Sequence, residues 1–333
     1  MDLGSTGYVG QTVQAGVPSA LSLDFTARFG CHYRKHTIFS LYIGSITPHS
    51  QSMTQFHLRR QDCIEGMLRL TGESVDLVVT SPPYNLGIGY RQYTDRQDRQ
   101  SYLSWCAKWA AQIRRILRSN GSFFLNVGSA PSNPMLPHQI VIELTSVSGG
   151  FFLQNTIHWI KSITVEDRKG HLKSHGHFKP INSKRFLNDC HEHIFHFTKS
   201  GRVEIDRLAL AVPYQDKSNI ARWSHTRGSD LRCRGNTWFL PYETIQSRAK
   251  ERPHPATFPI QLAEWCIKLH GVSRVGTILD PFLGIGNSAV AAQRCGVKKF
   301  IGFEIDNAYL AEAKRRLGWT KSPRLLSRFD CAH

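Results

Sequence analysis

Acidic residues are scarce in this chain. Its 333 residues hold 25 Asp and Glu against 42 Lys and Arg, a formal charge of +17 at pH 7, with a pI near 9.8. Such a surface attracts polyanions over a Debye length and favours phosphate contacts of any sequence, so nucleic acid is the expected partner. The sequence also lacks an apolar run long enough to cross a bilayer, a basic amphipathic helix and a lipidation signal, so no membrane partner is expected. None of the eight cysteines, scattered from Cys31 to Cys331, forms a C-x-x-C pair. A zinc ribbon and a compact disulfide scaffold are thereby excluded, and a reducing compartment is the simplest setting. Internal repeats and low-complexity tracts are absent as well. Hydrophobic content of 41% and charged content of 20% are those of a globular protein, large enough for one catalytic domain with an inserted module.

Residues 1–55 are rich in Ser, Thr and Gly and read as an N-terminal extension, a flexible arm or the product of an upstream start codon. The first clear element is the β-branched run Val75 to Thr80, a buried strand that ends abruptly in Ser81-Pro82-Pro83-Tyr84-Asn85. Apolar residues at helical spacing from Tyr102 to Arg118 predict an amphipathic helix, stopped by Asn120-Gly121. Strands are expected at Phe123 to Val127, Phe151 to Ile160 and His193 to Thr198. Between Gly201 and Arg252 the periodicity disappears. The stretch from Lys161 to Arg252 carries 18 Lys and Arg against 10 Asp and Glu, which makes it the expected place for phosphate contacts. Pattern returns with a helix at Pro259 to Leu269, a strand at Thr277 to Asp280 and a glycine turn at Gly284 to Ser288. A helix to Cys295, a strand at Lys299 to Glu304 and a helix at Asn307 to Leu317 complete the run. The alternation is that of an α/β domain.

Two motifs carry chemistry. A strand, a glycine turn, a helix and a second strand ending in an acid suit a ribonucleoside cofactor: Gly284 and Gly286 admit the ligand to the backbone, and Glu304 can accept from ribose hydroxyls. Nicotinamide cofactors use the same architecture, but Ala289 stands where their third glycine is expected, and no Lys follows for a P-loop. The second motif is Ser81-Pro82-Pro83-Tyr84. Its prolines stiffen the turn and leave the Pro82 carbonyl as an acceptor. A base's exocyclic amine becomes a better methyl acceptor when both its hydrogens are bonded, which the Ser81 hydroxyl and the Pro82 carbonyl could do while Tyr84 stacks on a flipped base. In isolation such a tetrad is better read as a proline-terminated edge strand with a buried tyrosine.

Together the motifs resemble a family. Thr80 to Asn85 looks like the catalytic motif of DNA amino-methyltransferases, and Asp280-Pro281-Phe282-Leu283-Gly284-Ile285-Gly286 resembles their cofactor motif. His254 to Pro259, His191 to Phe197 and Asp62-Cys63 are similar to three further shared elements, in order, across Asp62 to Leu317. With the catalytic motif first, the order is that of the permuted β class. The resemblance implies an α/β fold with a Rossmann-like, doubly covered sheet, S-adenosyl-L-methionine as cofactor, double-stranded DNA as partner and methyl transfer by base flipping. It implies catalytic halves at 56–200 and 253–320, a target-recognition insertion at 201–252 and a tail at 321–333. It also implies a bacterial or archaeal cytoplasm, a cognate restriction endonuclease and a monomer or homodimer. By the same resemblance Asp62, with Cys63 beside it, holds the adenine amine, and Asp280, Pro281 and Phe282 line the methionine and adenosine. Glu304 then takes the ribose and Thr257 closes the pocket. Ser81 departs from the Asp or Asn usual in adenine-N6 enzymes and implies cytosine N4, with adenine N6 as the alternative. A noncatalytic DNA-binding protein on the same fold and a nicotinamide oxidoreductase are the readings from other classes.

Other residues invite simpler accounts. His171, His175, His177, His191, His193 and His196 are dense, yet no carboxylate or cysteine completes a ligand set and the transfer needs no metal, so no metal is expected. Phe195 and Phe197 are expected in the core, and Trp159, Trp223 and Trp238 as anchors of the insertion. Arg222, Arg227, Arg232 and Arg234 are the candidates for contacting DNA, through base edges or phosphates.

Overall fold

Short apolar runs rich in β-branched residues are the signature of strands buried on both faces, and three of them form the middle of the sheet. They are Val75–Thr80 (β2), Thr277–Asp280 (β9) and Lys299–Glu304 (β10). The computed structural model describes residues 53–131, 133–146, 149–177, 180–241 and 257–319. Most of the 1–55 extension, the His254-Pro255-Ala256 part of one motif and the 321–333 tail lie outside these residues, as do Cys31 and Cys331.

The remaining strands are Gln55–Arg60 (β1), Leu117–Val127 (β3), Phe152–Ile160 (β4), Ser162–Glu166 (β5), Leu172–Gly176 (β6), His191–Thr198 (β7) and Thr237–Phe239 (β8). Eight of the ten form one sheet in the order β1-β10-β9-β2-β3-β7-β4-β8, and β5 pairs with β6 as a separate hairpin. From β1 to β3 every pairing is parallel; β7 alone runs against its neighbours. The helices are Cys63–Leu68 (α1), Arg99–Ile116 (α2), Leu136–Ser146 (α3), Ser218–Arg222 (α4), Ile260–His270 (α5), Asn287–Arg294 (α6) and Asn307–Arg316 (α7). One apolar core packs α1, α2 and α3 on one face of the sheet and another packs α5, α6 and α7 on the opposite face. This is the doubly covered α/β sheet that the sequence predicts.

The chain winds outward from the β2/β9 junction in both directions, through α2 to β3 and through α6 to β10, so the topology switches there. In such sheets the crevice beyond the carboxyl ends of the strands at the switch is where ligands bind. Both ends of the junction are fastened. At its start the Asp76 carboxylate accepts from the Gly276 and Thr277 amides at 3.0 and 2.8 Å. At its finish Thr80 Oγ1 donates to Asp280 Oδ1 at 2.5 Å, in the interior.

Several predicted boundaries move. The helix expected from Tyr102 begins at Arg99, where the Asp98 carboxylate caps the Ser101 amide, and ends at Ile116. Asn120-Gly121 does not stop it: the pairing of β3 with β2 begins at Leu117 and slips between Val75 and Leu77, so these residues lie in a bulge of β3. In the described part of the 201–252 segment, residues 201–241, β8 returns to pair with β4 at the sheet edge. Trp238 on β8 is 1% exposed and packs edge-on against Trp265, and the buried Trp159 donates to the Leu240 carbonyl at 2.7 Å. These two tryptophans hold residues 237–240 to the sheet and to α5; Trp223, 42% exposed, stacks on His225.

Candidate active site

The two motif loops leave adjacent strand ends and face each other across one cleft. Its volume is about 1040 Å³ with its open mouth included, and Ser81, Pro82, Pro83 and Tyr84 line it together with Asp62, Cys63, Thr257, Pro281, Phe282, Gly284 and Glu304. Residues about 200 positions apart in sequence are thus brought to one site.

Asp280 and Gly286, also expected to line the cofactor, sit beneath the cleft rather than in its wall. Asp280 is 1% exposed and its carboxylate is committed to Thr80, the Ser288 hydroxyl and the Phe282 amide. Burial pushes its pKa from 3.8 to about 6, partly opposed by these donors. Gly286 has φ +80 at the start of α6, and a Cβ there would meet the Ala313 Cβ of α7 at 2.9 Å. It permits the turn and the helix contact, both of which the motif needs before any ligand arrives.

The donor set fits S-adenosylmethionine. The Gly284 amide donates to Glu304 Oε2 and the Asp306 amide to Oε1, each at 2.8 Å, which aims the carboxylate while leaving lone pairs for a vicinal diol. Burial raises the Glu304 pKa. Phe282, wedged edge-on between Trp105 and Trp109, gives the cleft an apolar wall. Asp62 caps α1 through Oδ1, accepting from the Ile64 and Glu65 amides, and still reaches the cleft rim. Burial pushes the Cys63 thiol far above its usual range, leaving it an inert part of the wall.

Sequence reasoning missed a second set of groups, those behind the tetrad. Ser81 Oγ lies 2.6 Å from the Tyr84 hydroxyl, which donates to Glu192 Oε2 at 3.1 Å. Asn126 Nδ2 donates to both Tyr84 and Glu192 at 2.7 Å, and Lys161 pairs with Glu192 Oε1 at 3.2 Å. Asn126 Oδ1 is buried without a partner. Tyr84 is 9% exposed and lines the cleft, with its hydroxyl bonded to Ser81, Asn126 and Glu192. Tyr102 donates to the Pro83 carbonyl at 2.7 Å. Beyond the tetrad the loop folds over Asp95, whose buried carboxylate takes the amides of Asn85, Leu86 and Ile88. The only hint of these residues in the sequence is a polar position inside an apolar strand, as with Asn126 and Glu192.

The remaining candidates are dispersed. Phe195 and Phe197 are core residues, as expected. His196 is buried too, with Asn155 at Nδ1 and Ser122 at Nε2; Ser122 in turn meets His270 Nδ1 at 2.9 Å. Burial lowers His196 to about 3 and His270 to about 4. Burial, then the neighbouring His191, His158 and His138, also lowers His193, to about 4. His171, His175 and His177 are exposed on or beside the β5–β6 hairpin. Arg222, Arg227 and Arg232 are exposed. Arg234 lies 4.5 Å over the Trp265 ring and donates to the Leu210 carbonyl, so its guanidinium ties the chain around Leu210 to α5.

Comparison with known proteins decides the class. The sequence profile of the DNA methylase family of N6 and N4 methyltransferases matches residues 75–315. The chain belongs to this family. The methylase is thus an S-adenosylmethionine-dependent enzyme acting on an amino group of DNA. It is 29% identical over 270 residues to the Type II methyltransferase M.ScaI of Streptomyces caespitosus, covering 77% of this chain and 79% of that one. It is 27% identical over 257 residues to the Type II methyltransferase M.BglII of Bacillus subtilis, covering 75% and 65%. Among solved structures, the cytosine-N4-specific PvuII DNA methyltransferase superposes with a TM-score of 0.57 at 18% identity, covering 80% of this chain and 87% of that one, which shows the shared fold. Among the described residues no helix is long and apolar enough to cross a membrane.

Proposed function

We propose that the methylase transfers a methyl group to N4 of cytosine in double-stranded DNA. The observation that carries this reading is Ser81 in the first position of the tetrad, with its hydroxyl tied to a buried acid. The single proton of the Tyr84 hydroxyl goes to Glu192, so Ser81 donates to Tyr84 and turns its lone pairs outward. Ser81 then accepts one amine hydrogen, and the Pro82 carbonyl accepts the other. Drawing both hydrogens into bonds returns lone-pair density to the nitrogen, which the ring otherwise withdraws. Bound S-adenosylmethionine supplies a methyl group on a sulfonium sulfur; the nitrogen–methyl bond forms as the methyl–sulfur bond breaks. The alkylated amine gives up a proton, and the chain Ser81, Tyr84, Glu192 leads inward from it.

Residues 201–252 fit a target-recognition module, with Arg222, Arg227 and Arg232 available to phosphates or base edges and Arg234 engaged in anchoring. Because M.ScaI and M.BglII are named as Type II methyltransferases, we carry over a protective role beside a restriction endonuclease. Nucleoside analysis of DNA methylated with labelled cofactor tests the base: N4-methylcytosine is expected, and N6-methyladenine alone overturns the assignment. Ser81→Ala should lower turnover by on the order of 100-fold with little change in cofactor affinity.

A further inference from the structure

Three histidines converge where the hairpin excursion of residues 161–190 leaves and rejoins the sheet. His158 lies near the end of β4, and directly across the antiparallel pair stands His193 of β7. His191 is two residues along β7 and so shares the face of His193. One ring nitrogen from each of the three falls within 4.8 Å of the other two. Ring centroids are 5.3 Å apart for His158 and His193 and 5.1 Å for His191 and His193. Nitrogens on a tetrahedral zinc ion stand about 3.3 Å apart, as bonds of ~2.0–2.1 Å require, so small side-chain rotations close the set. A carboxylate stands behind one member: Asp189 Oδ1 is 3.8 Å from His191 Nδ1, and Ser129 Oγ donates to its Oδ2. Outer carboxylates of this kind orient ligand imidazoles. None of the three histidines lines the cofactor cleft.

We propose that His158, His191 and His193 bind a divalent first-row transition ion, with Zn²⁺ as the type, through three imidazoles and a water in the fourth position. The third ligand comes from a neighbouring strand, which is why inspection of the β7 histidines alone finds no complete set. The ion joins the end of β4, before the excursion, to the start of β7, after it, closing the base of a segment whose described residues are largely exposed to solvent. Between two of its ligands in sequence stands Glu192, whose side chain points to the opposite face and holds Tyr84. Metal binding thereby stiffens the strand that positions the acid behind the catalytic tetrad.

Titration of tag-free, chelator-dialysed full-length protein with Co²⁺, followed in the visible region, is the direct test. One equivalent should bind with the absorption of a tetrahedral nitrogen and oxygen site, without an intense thiolate charge-transfer band, and Zn²⁺ should displace it. His191, whose side chain is 45% exposed, can be changed without disturbing the core. His191→Ala should weaken binding by more than the ~10–100-fold that loss of an outer partner costs, with an unchanged circular dichroism spectrum. In the unaltered protein, Zn²⁺ should shield His158, His191 and His193 from diethylpyrocarbonate while His171, on the exposed hairpin, stays reactive. Failure of the unaltered protein to bind, a thiolate band, equal affinity in His191→Ala, or equal modification of the three histidines with and without Zn²⁺ would each overturn the site.

Discussion

In the proposed arrangement the Ser81 hydroxyl takes its direction from Glu192, more than a hundred residues away in the chain and buried on another strand. Replacing the acid by its amide lets position 192 donate to Tyr84, which frees the tyrosine proton for Ser81 and turns the serine from acceptor to donor. Glu192→Gln should therefore lower kcat about ten-fold or more while leaving the cofactor dissociation constant unchanged, a separation that calorimetry and steady-state kinetics together read out. Asp280 predicts a pH effect of opposite character to the buried histidines. Its folded pKa is raised from 3.8 to about 6, so the folded state holds the proton more tightly and loses stability as pH rises through that interval. Asp280→Asn keeps a carbonyl for Thr80 and Phe282 and removes the charge. Its stability relative to the parent should be greatest near pH 7 and decline toward pH 4 in urea titrations. His196 and His270, lowered to about 3 and 4, act the other way: their stabilisation is complete above about 6.5 and is lost on acidification. The motif residues at this scale were legible because their types are unusual in sequence. Asn126, Lys161, Glu192 and Asp95 were not, since a lone polar residue gains its meaning from a partner on another element.

Among elements, legibility followed burial. β2, β9 and β10 are covered on both faces and therefore read as continuous apolar runs. β1, with the sequence QFHLRR, sits at the sheet edge, and the β5–β6 strands face solvent almost throughout, so neither carries an alternation to detect. β8 is only three residues long and is recruited by Trp238 rather than by pattern. The turn into α6 shows that a glycine of such a motif also serves the fold. Gly286 is required by a left-handed backbone and by the proximity of α7, so Gly286→Ala should cost roughly 2 kcal/mol or more, measured as a lower unfolding midpoint in the absence of any ligand. An unchanged midpoint would return Gly286 to a purely ligand-facing role.

For the molecule as a whole, the +17 charge favours phosphate contacts, whose number sets how binding to DNA responds to salt. Affinity should fall linearly on a log–log plot, and Arg222→Ala or Arg232→Ala should each flatten the slope by about 1 if the residue meets a phosphate. Arg234→Ala should instead lower thermal stability, because its guanidinium is spent on Trp265 and Leu210. The order of motifs along the chain was readable, but their meeting was not: only the sheet topology brings the end of β2 beside the end of β9. The hydrogen bond from Thr80 to Asp280 spans 200 positions. On a ribosome adding about 5–20 residues per second, β2 emerges roughly 10–40 s before β9, its partner on that edge. During that interval β2, an apolar strand, presents an unpaired edge, a template for pairing with other chains. The permuted order therefore leaves that edge unpaired for longer than an arrangement in which the two strands follow closely.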